Sequence, residues 1–296
     1  MQRIFKNLIS LGIFAITFGL LIECFLYLQM NDRRAHVLED WEDIIGLDEE
    51  VWFLGDSRTS THINPVQIEL KSNRSVYNLG YDGFRIGMGV KRVNFALHHA
   101  ESPPKYIVVQ SDISYIDTRR VQSNFPMKDG MLRYFWSNQI GINTLFSDYE
   151  NWRGLDAWVP LLRYKGYPLM FFKHLLGWNR WDKRASKGYW NDIGGVGGFV
   201  DSKPTAQAQQ LTLMGLDSVA AHHNIQVIGL IPPSAGGQER PPLSLLDSLM
   251  PGELIWDFSF FLDDLDVNYF KDSKHFSPSG VELYSDSIAS LVNNLH

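Results

Sequence analysis

The sequence predicts an α/β protein built on a parallel sheet, and three observations carry that prediction. Short apolar-rich runs recur at 51–54, 75–79, 106–110, 225–231 and 254–257. The third, Tyr-Ile-Val-Val-Gln, shows no polar alternation, as suits a strand covered on both faces. Segments with helical spacing stand between these runs, and strand–helix alternation is the pattern of a parallel sheet. Turn formers close the runs: Gly55 and Asp56 after the first, Gly80 and Gly83 after the second, Pro232 and Pro233 after the fourth.

In chain order, residues 8–28 come first. They are apolar except for Thr17, Glu23 and a few small residues. Twenty-one residues make a helix about 31 Å long, enough to cross a bilayer core. Arg3 and Lys6 precede the run, and Arg33 and Arg34 follow it, so lysine and arginine alone are balanced. The α-amino group and the short tail favour a cytoplasmic N-terminus. The run lacks a small-x-small cleavage site, which favours an uncleaved anchor over a removed signal peptide. The expected organisation is an anchor over 1–35, a polar juxtamembrane helix or linker over 36–50, and a domain over 51–296. The expected placement is a single-pass membrane protein with its domain periplasmic or extracellular.

Within the domain, the strand at 51–54 leads to a helix over 61–72 whose start is set by Pro65. The strand at 75–79 ends in a turn rich in glycine: Gly80, Gly83, Gly87 and Gly89. A helix over 90–99 stops before Pro103 and Pro104, and the strand 106–110 follows. A helix over 207–223 precedes the strand 225–231; 254–257 is the fifth strand. Val281, Tyr284, Ile288, Leu291 and Leu295 define a closing amphipathic helix over 281–295.

Residues 120–205 break the rhythm and are read as an insertion over the strand ends, where α/β folds bind ligands. They hold six of the nine tryptophans, and 150–190 carries eight Lys and Arg against three Asp and Glu. Three readings stay open. The segment covers the sheet as ordinary helices; its aromatic rings stack on sugars; or its basic-aromatic stretch at 161–173 lies on an anionic membrane surface.

Composition narrows the function. Hydrophobic content of 45% and charged content of 20% fit a globular chain. A net charge of −6 gives no electrostatic footprint for nucleic acid. The single cysteine, Cys24, leaves no intrachain disulfide and no cysteine zinc site. The pairs His98–His99 and His222–His223 are helix neighbours pointing about 100° apart, which is poor geometry for one metal. The glycine clusters match no phosphate loop, so no cofactor is expected.

Two short segments carry chemistry. Ser57 follows Gly55 and Asp56 where a strand gives way to a helix, a place rich in free backbone N–H groups that can stabilise an oxyanion. The same three residue types also make an ordinary turn with a helix cap. Near the other end, Asp272 stands three residues before His275. A carboxylate so placed can fix the imidazole's tautomer and stabilise its protonated form, although a surface loop before a helix capped by Ser277 or Ser279 fits the same residues. Together they supply a nucleophile, a base and an orienting acid.

Over 51–115 and 225–292 the chain resembles the SGNH (GDSL) hydrolase superfamily. Gly55, Asp56 and Ser57 resemble its first block, residues 77–83 its second, and Asp272-x-x-His275 its last. The resemblance implies a flavodoxin-like three-layer α/β/α fold. It implies attack by Ser57, His275 as base and Asp272 as its orienter, with the Ser57 and Gly83 amides as the oxyanion hole. Asn78, in the second block, is a candidate for substrate binding. The architecture is also similar to single-pass SGNH proteins that accompany membrane-bound O-acyltransferases in bacteria, as in lipoteichoic acid D-alanylation and alginate acetylation. That implies a cell-surface glycan acceptor and a polytopic membrane partner.

The third block departs from the family pattern. Residues 108–115 lack the family's oxyanion-hole asparagine; Ser114 or Gln110 is the available substitute, and Asp112 would oppose an oxyanion. Arg58 either binds an anionic substrate or pairs with Asp56 or Asp82. Two functions follow as expectations: a serine esterase or O-acyltransferase working through an acyl-enzyme, or a non-catalytic adaptor that binds glycan or scaffolds a membrane acyltransferase.

Overall fold

The structure is a computed structural model that describes residues 2–30, 41–81, 86–112, 187, 213–234, 240–241, 254–261, 269–272 and 275–296. Most of the expected insertion at 120–205, all of 31–40, and the first part of the helix expected over 207–223 lie outside these residues. The chain divides into two units, one of which, Asp43–Gln122 with Asp182–His296, carries the sheet.

Five strands form that sheet: β1 (Val51–Leu54), β2 (Val76–Asn78), β3 (Tyr106–Gln110), β4 (Gln226–Ile231) and β5 (Leu254–Asp257). Their order is β2-β1-β3-β4-β5, and every pairing is parallel. This is a doubly wound order. Its switch point falls at β1 and β3, where the connections diverge; in sheets of this order ligands bind outside the strands' C-terminal ends at that point. The register aligns Phe53 with both Asn78 and Val108, so the exits of β1, β2 and β3 lie side by side.

Parallel pairing demands cover on both faces, and β1 and β3 are buried at every position. Val51, Phe53, Tyr106, Val108, Ile228 and Leu230 alternate along their strands and form one core face. That core also holds Ile68 of α3 (Pro65–Ser72) and Val281, Tyr284, Ile288 and Val292 of α6 (Pro278–Asn293). The intervening residues, Trp52, Leu54, Ile107 and Val109, are equally buried and point to the opposite face. Two further helices, α4 (Ile86–His99) and α5 (Leu213–His223), pack against each other and bury Val93, Ala96, Leu216 and Ala220.

Helix α3 starts at Pro65, as expected, with Asn64 as its cap. The first residues of the stretch 61–72 belong elsewhere: Thr61 and His62 end a separate short helix, α2 (Ser57–His62), and Ile63 is extended. Ile68 is buried as the spacing predicts, but Leu70 is 83% exposed. The buried stripe of α3 is Pro65, Ile68 and Ser72. At the sheet edge, the carbonyl of Lys187 accepts the Asn78 amide at 2.9 Å, and the Lys187 ammonium reaches Glu69 at 2.5 Å.

Helix α1 (Gln2–Met30) belongs to the other unit and includes the run expected to span a membrane. Among the described residues no helix is long and apolar enough to cross a membrane. Within that run the side chains of Leu8, Ala15 and 22–28 lie outside the described residues. The juxtamembrane stretch holds a short 3-10 turn at Trp41–Ile44.

Candidate functional site

β1 ends at Leu54, and the chain turns at Gly55 into α2. Space dictates glycine there: a Cβ would lie 1.9 Å from Thr59 Oγ1 and 2.4 Å from Gln110 Oε1. Asp56 caps α2, its Oδ1 accepting the Arg58 amide at 3.0 Å. Ser57 is therefore the first helical residue, half-buried at the C-terminal edge of the sheet. Its carbonyl accepts hydrogen bonds from Ser60 Oγ at 3.1 Å and Thr61 Oγ1 at 2.6 Å, which fix the first turn.

A buried polar network holds this turn from below. Gln110, the last residue of β3, accepts the Asp56 amide at 3.0 Å and the Thr59 hydroxyl at 2.9 Å through Oε1. Its Nε2 donates to Asp112. Asp112 in turn pairs with Arg58 at 2.5 Å, the two side chains 0% and 2% exposed. Burial pushes the Asp56 carboxyl up; the Arg58 guanidinium opposes that rise and Asp112 adds to it.

The second half of the site comes from the chain's far end. The loop leading into α6 is pinned by a bridge between Phe270 and Phe276 and by the Lys271 amide donating to the His275 carbonyl at 2.7 Å. Ser277 caps α6, and its amide donates to the Tyr269 carbonyl at 2.9 Å. Gly280 is forced by the same contact region, since a Cβ would stand 2.3 Å from the Tyr269 oxygen.

This frame brings three residues into one chain of hydrogen bonds. Ser57 Oγ lies 3.0 Å from His275 Nε2. His275 Nδ1 lies 3.0 Å from Asp272 Oδ2 and 3.1 Å from Oδ1. The His275 backbone amide also donates to Asp272 Oδ1 at 2.8 Å, so carboxylate and imidazole are tied twice. A carboxylate on Nδ1 favours the tautomer with its proton there, leaving Nε2 free to accept from a hydroxyl. Chemically, the arrangement can take the Ser57 proton as its oxygen attacks. His275 and Asp272 are 33% and 26% exposed, so the imidazole is reachable from solvent.

The other site expectations fare differently. Gly83 and Ser114 lie outside the described residues. Asn78 is not available to a substrate: its Nδ2 donates to the Thr59 and Ile63 carbonyls at 2.7 and 2.8 Å, and its Oδ1 accepts the Gly80 amide at 2.9 Å. Arg58 is turned inward and sealed, a structural ion pair rather than an anion-binding group. Gln110 spends its amide on the turn and Asp112, so it does not stand in for the missing asparagine. Asp112, expected to oppose an oxyanion, faces a guanidinium instead. Among the described residues no group of His, Cys, Asp and Glu could hold a metal ion.

His62 is the neighbour that sequence reasoning missed. At the end of α2, it is 1% exposed and meets the His275 ring edge-on at 5.7 Å between centroids. As a lone imidazole in a polar stretch, it carries no spacing signal.

No protein-family model matches the chain, and no curated protein matches it. Among solved structures, one from Streptococcus pneumoniae, provisionally described as a platelet activating factor, aligns over 94% of this chain and 99% of its own. Identity is 14% and the TM-score 0.40.

Proposed function

We propose that this protein is a serine esterase or O-acyltransferase of the SGNH kind, working through an acyl-enzyme at Ser57. The observation that carries the reading is the continuous hydrogen-bonded chain from Ser57 Oγ through His275 to Asp272 at a doubly wound sheet's switch point. Ser57 Oγ attacks the ester carbonyl carbon while its proton passes to His275 Nε2. Asp272 holds the imidazolium that forms. The C–O bond to the leaving alcohol then breaks, and His275 returns the proton to that oxygen. In the second half, His275 takes a proton from water or a sugar hydroxyl as its oxygen attacks the acyl carbon; the bond from that carbon to Ser57 Oγ then breaks, and His275 returns the proton to Oγ. The Ser57 amide, with that of Gly83, is assigned to the oxyanion.

The proposal extends to place and substrate. Residues 8–28 anchor the chain, with the domain on the extracytoplasmic side, a cell-surface glycan as acyl acceptor and a polytopic membrane O-acyltransferase as partner. Supporting the anchor, Leu11, Phe14, Ile16, Leu20 and Leu21 of α1 are all more than 60% exposed, apolar surface that lipid would cover. One observation favours the adaptor reading: Gln110 is committed elsewhere, so the missing asparagine has no described replacement. Hydrolysis of p-nitrophenyl acetate by the full-length chain separates the two. The enzyme reading expects turnover that Ser57→Ala abolishes without unfolding the protein; equal rates in both proteins would leave only the adaptor.

A further inference from the structure

Resting on the reading of Ser57 and His275 just given, we infer that His62 is a positioning residue, setting where the base stands by holding the backbone of the next residue. Its Nε2 accepts the Phe276 backbone amide at 3.1 Å. That amide belongs to the peptide unit leaving His275, so the bond fixes the base's main chain on its C-terminal side. Asp272 fixes it on the N-terminal side through the His275 amide at 2.8 Å. The base is thus gripped on both flanks, once by a carboxylate and once by an imidazole.

His62 is itself immobilised. Its carbonyl accepts the Ser285 hydroxyl from α6 at 3.3 Å, and Ser285 Oγ accepts the Asn64 amide at 3.1 Å. Its ring packs on Phe276 at 4.4 Å between centroids and meets His275 edge-on. Because α2 carries both Ser57 and His62, one six-residue helix bears the nucleophile at its start and the clamp on the base at its end. Nucleophile and base thereby share a single rigid reference, although 218 residues separate them in sequence.

The bond also dictates a tautomer. An imidazole that accepts at Nε2 and is neutral carries its proton on Nδ1. That atom is buried and has no hydrogen-bond partner among the described residues. A buried donor left unmade is unfavourable, and a residue chosen only for stability would avoid it. Its presence fits a role in which the Nε2 lone pair matters more than the Nδ1 proton. Burial, with the His275, Arg58 and Lys271 charges nearby, holds His62 well below the usual histidine range, which keeps that lone pair available.

The test compares His62→Gln, which keeps an acceptor, with His62→Leu, which does not. Leucine is expected to lower kcat for ester hydrolysis about 10²-fold with KM unchanged, as for a misplaced catalytic group. Glutamine is expected to restore kcat toward wild type, a rescue that a purely space-filling role would not produce. The chain contains one His–Phe sequence, so carbonyl-labelled histidine with 15N-phenylalanine isolates the Phe276 amide by NMR. Its hydrogen exchange is expected to accelerate in the leucine variant and stay slow with glutamine. If wild type hydrolyses no ester, the function reading fails, and this exchange still decides whether His62 holds the loop. Should the leucine variant not fold, the wild type decides by scalar coupling across the hydrogen bond between Phe276 15N and His62 15Nε2. Unchanged exchange and kcat in folded His62→Leu, no rescue by glutamine, or absence of that coupling would each overturn the inference.

Discussion

Arg58 and Asp112 form a sealed ion pair 2.5 Å apart, directly beneath the turn that presents Ser57. The pair joins α2 to the chain just beyond β3, and Gln110 ties the same two segments through the Asp56 amide. Breaking a buried pair strands a charge, so Asp112→Ala is expected to destabilise the fold by about 3–5 kcal/mol. Replacing both partners, with Arg58→Met and Asp112→Leu, is expected to cost less, the remaining loss coming from Asp56, which loses its guanidinium neighbour, and Gln110 Nε2, which loses its acceptor. Urea unfolding of wild type and these two variants checks this, and equal losses in both would mean the pair is not the organising element.

Gly55 is the narrowest point of the site. Gly55→Ala forces a methyl against Thr59 Oγ1 and Gln110 Oε1, so the turn must shift. Overpacking of this kind is expected to cost about 1–3 kcal/mol. Because the displaced atoms hold Ser57, kcat is expected to fall even at temperatures where the variant is fully folded. Thermal unfolding and steady-state kinetics on one preparation separate the two effects.

The sheet was legible from the sequence because its strands are buried on both faces, which leaves continuous apolar runs such as Tyr106–Gln110. Ser57 and the pair Asp272 and His275 stood out beside turn formers at short local spacing, and their combination resembled known blocks; that they meet is a contact across 218 residues which spacing does not reveal. What stayed hidden depends on contacts between distant positions. Gln110 and Asp56 are 54 residues apart, and His62 and Phe276 are 214 apart. Nothing local to Asn78 reveals that its amide is saturated by backbone. Pro65 revealed where α3 starts, but Val66 and Leu70, which continued the apparent apolar stripe, are exposed, and nothing in the spacing marked α2 as a helix of its own.

Acid is expected to destabilise the fold through His62. The folded protein holds this imidazole neutral to well below the usual histidine range, while the unfolded chain protonates it near pH 6.5. As pH falls through 6.5 the unfolded state binds the extra proton, so stability declines from there until the folded-state pKa is reached. The slope from this one group is up to about 1.4 kcal/mol per pH unit. His62→Gln removes the group, so its stability is expected to vary less with pH below 6.5 than that of wild type. Parallel curves from pH 7.5 to 5 would contradict the assignment.

Asp272→Asn tests how the base is oriented. An amide at that position loses the negative charge and can favour the wrong imidazole tautomer. In serine-triad enzymes that change lowers kcat by roughly 10⁴. A fall of about 10³–10⁴ is expected here, with the His275 amide still able to donate to the remaining oxygen. Kinetics together with an unfolding curve distinguish this from loss of the loop.

The most direct measurement is reaction of the full-length protein with a fluorophosphonate probe, followed by peptide mass spectrometry. An activated Ser57 predicts one covalent adduct on Ser57, lost in Ser57→Ala and strongly reduced in His275→Ala. Folded wild-type protein that acquires no adduct, or whose labelling survives both substitutions, would contradict the claim that Ser57, His275 and Asp272 form a working nucleophilic site.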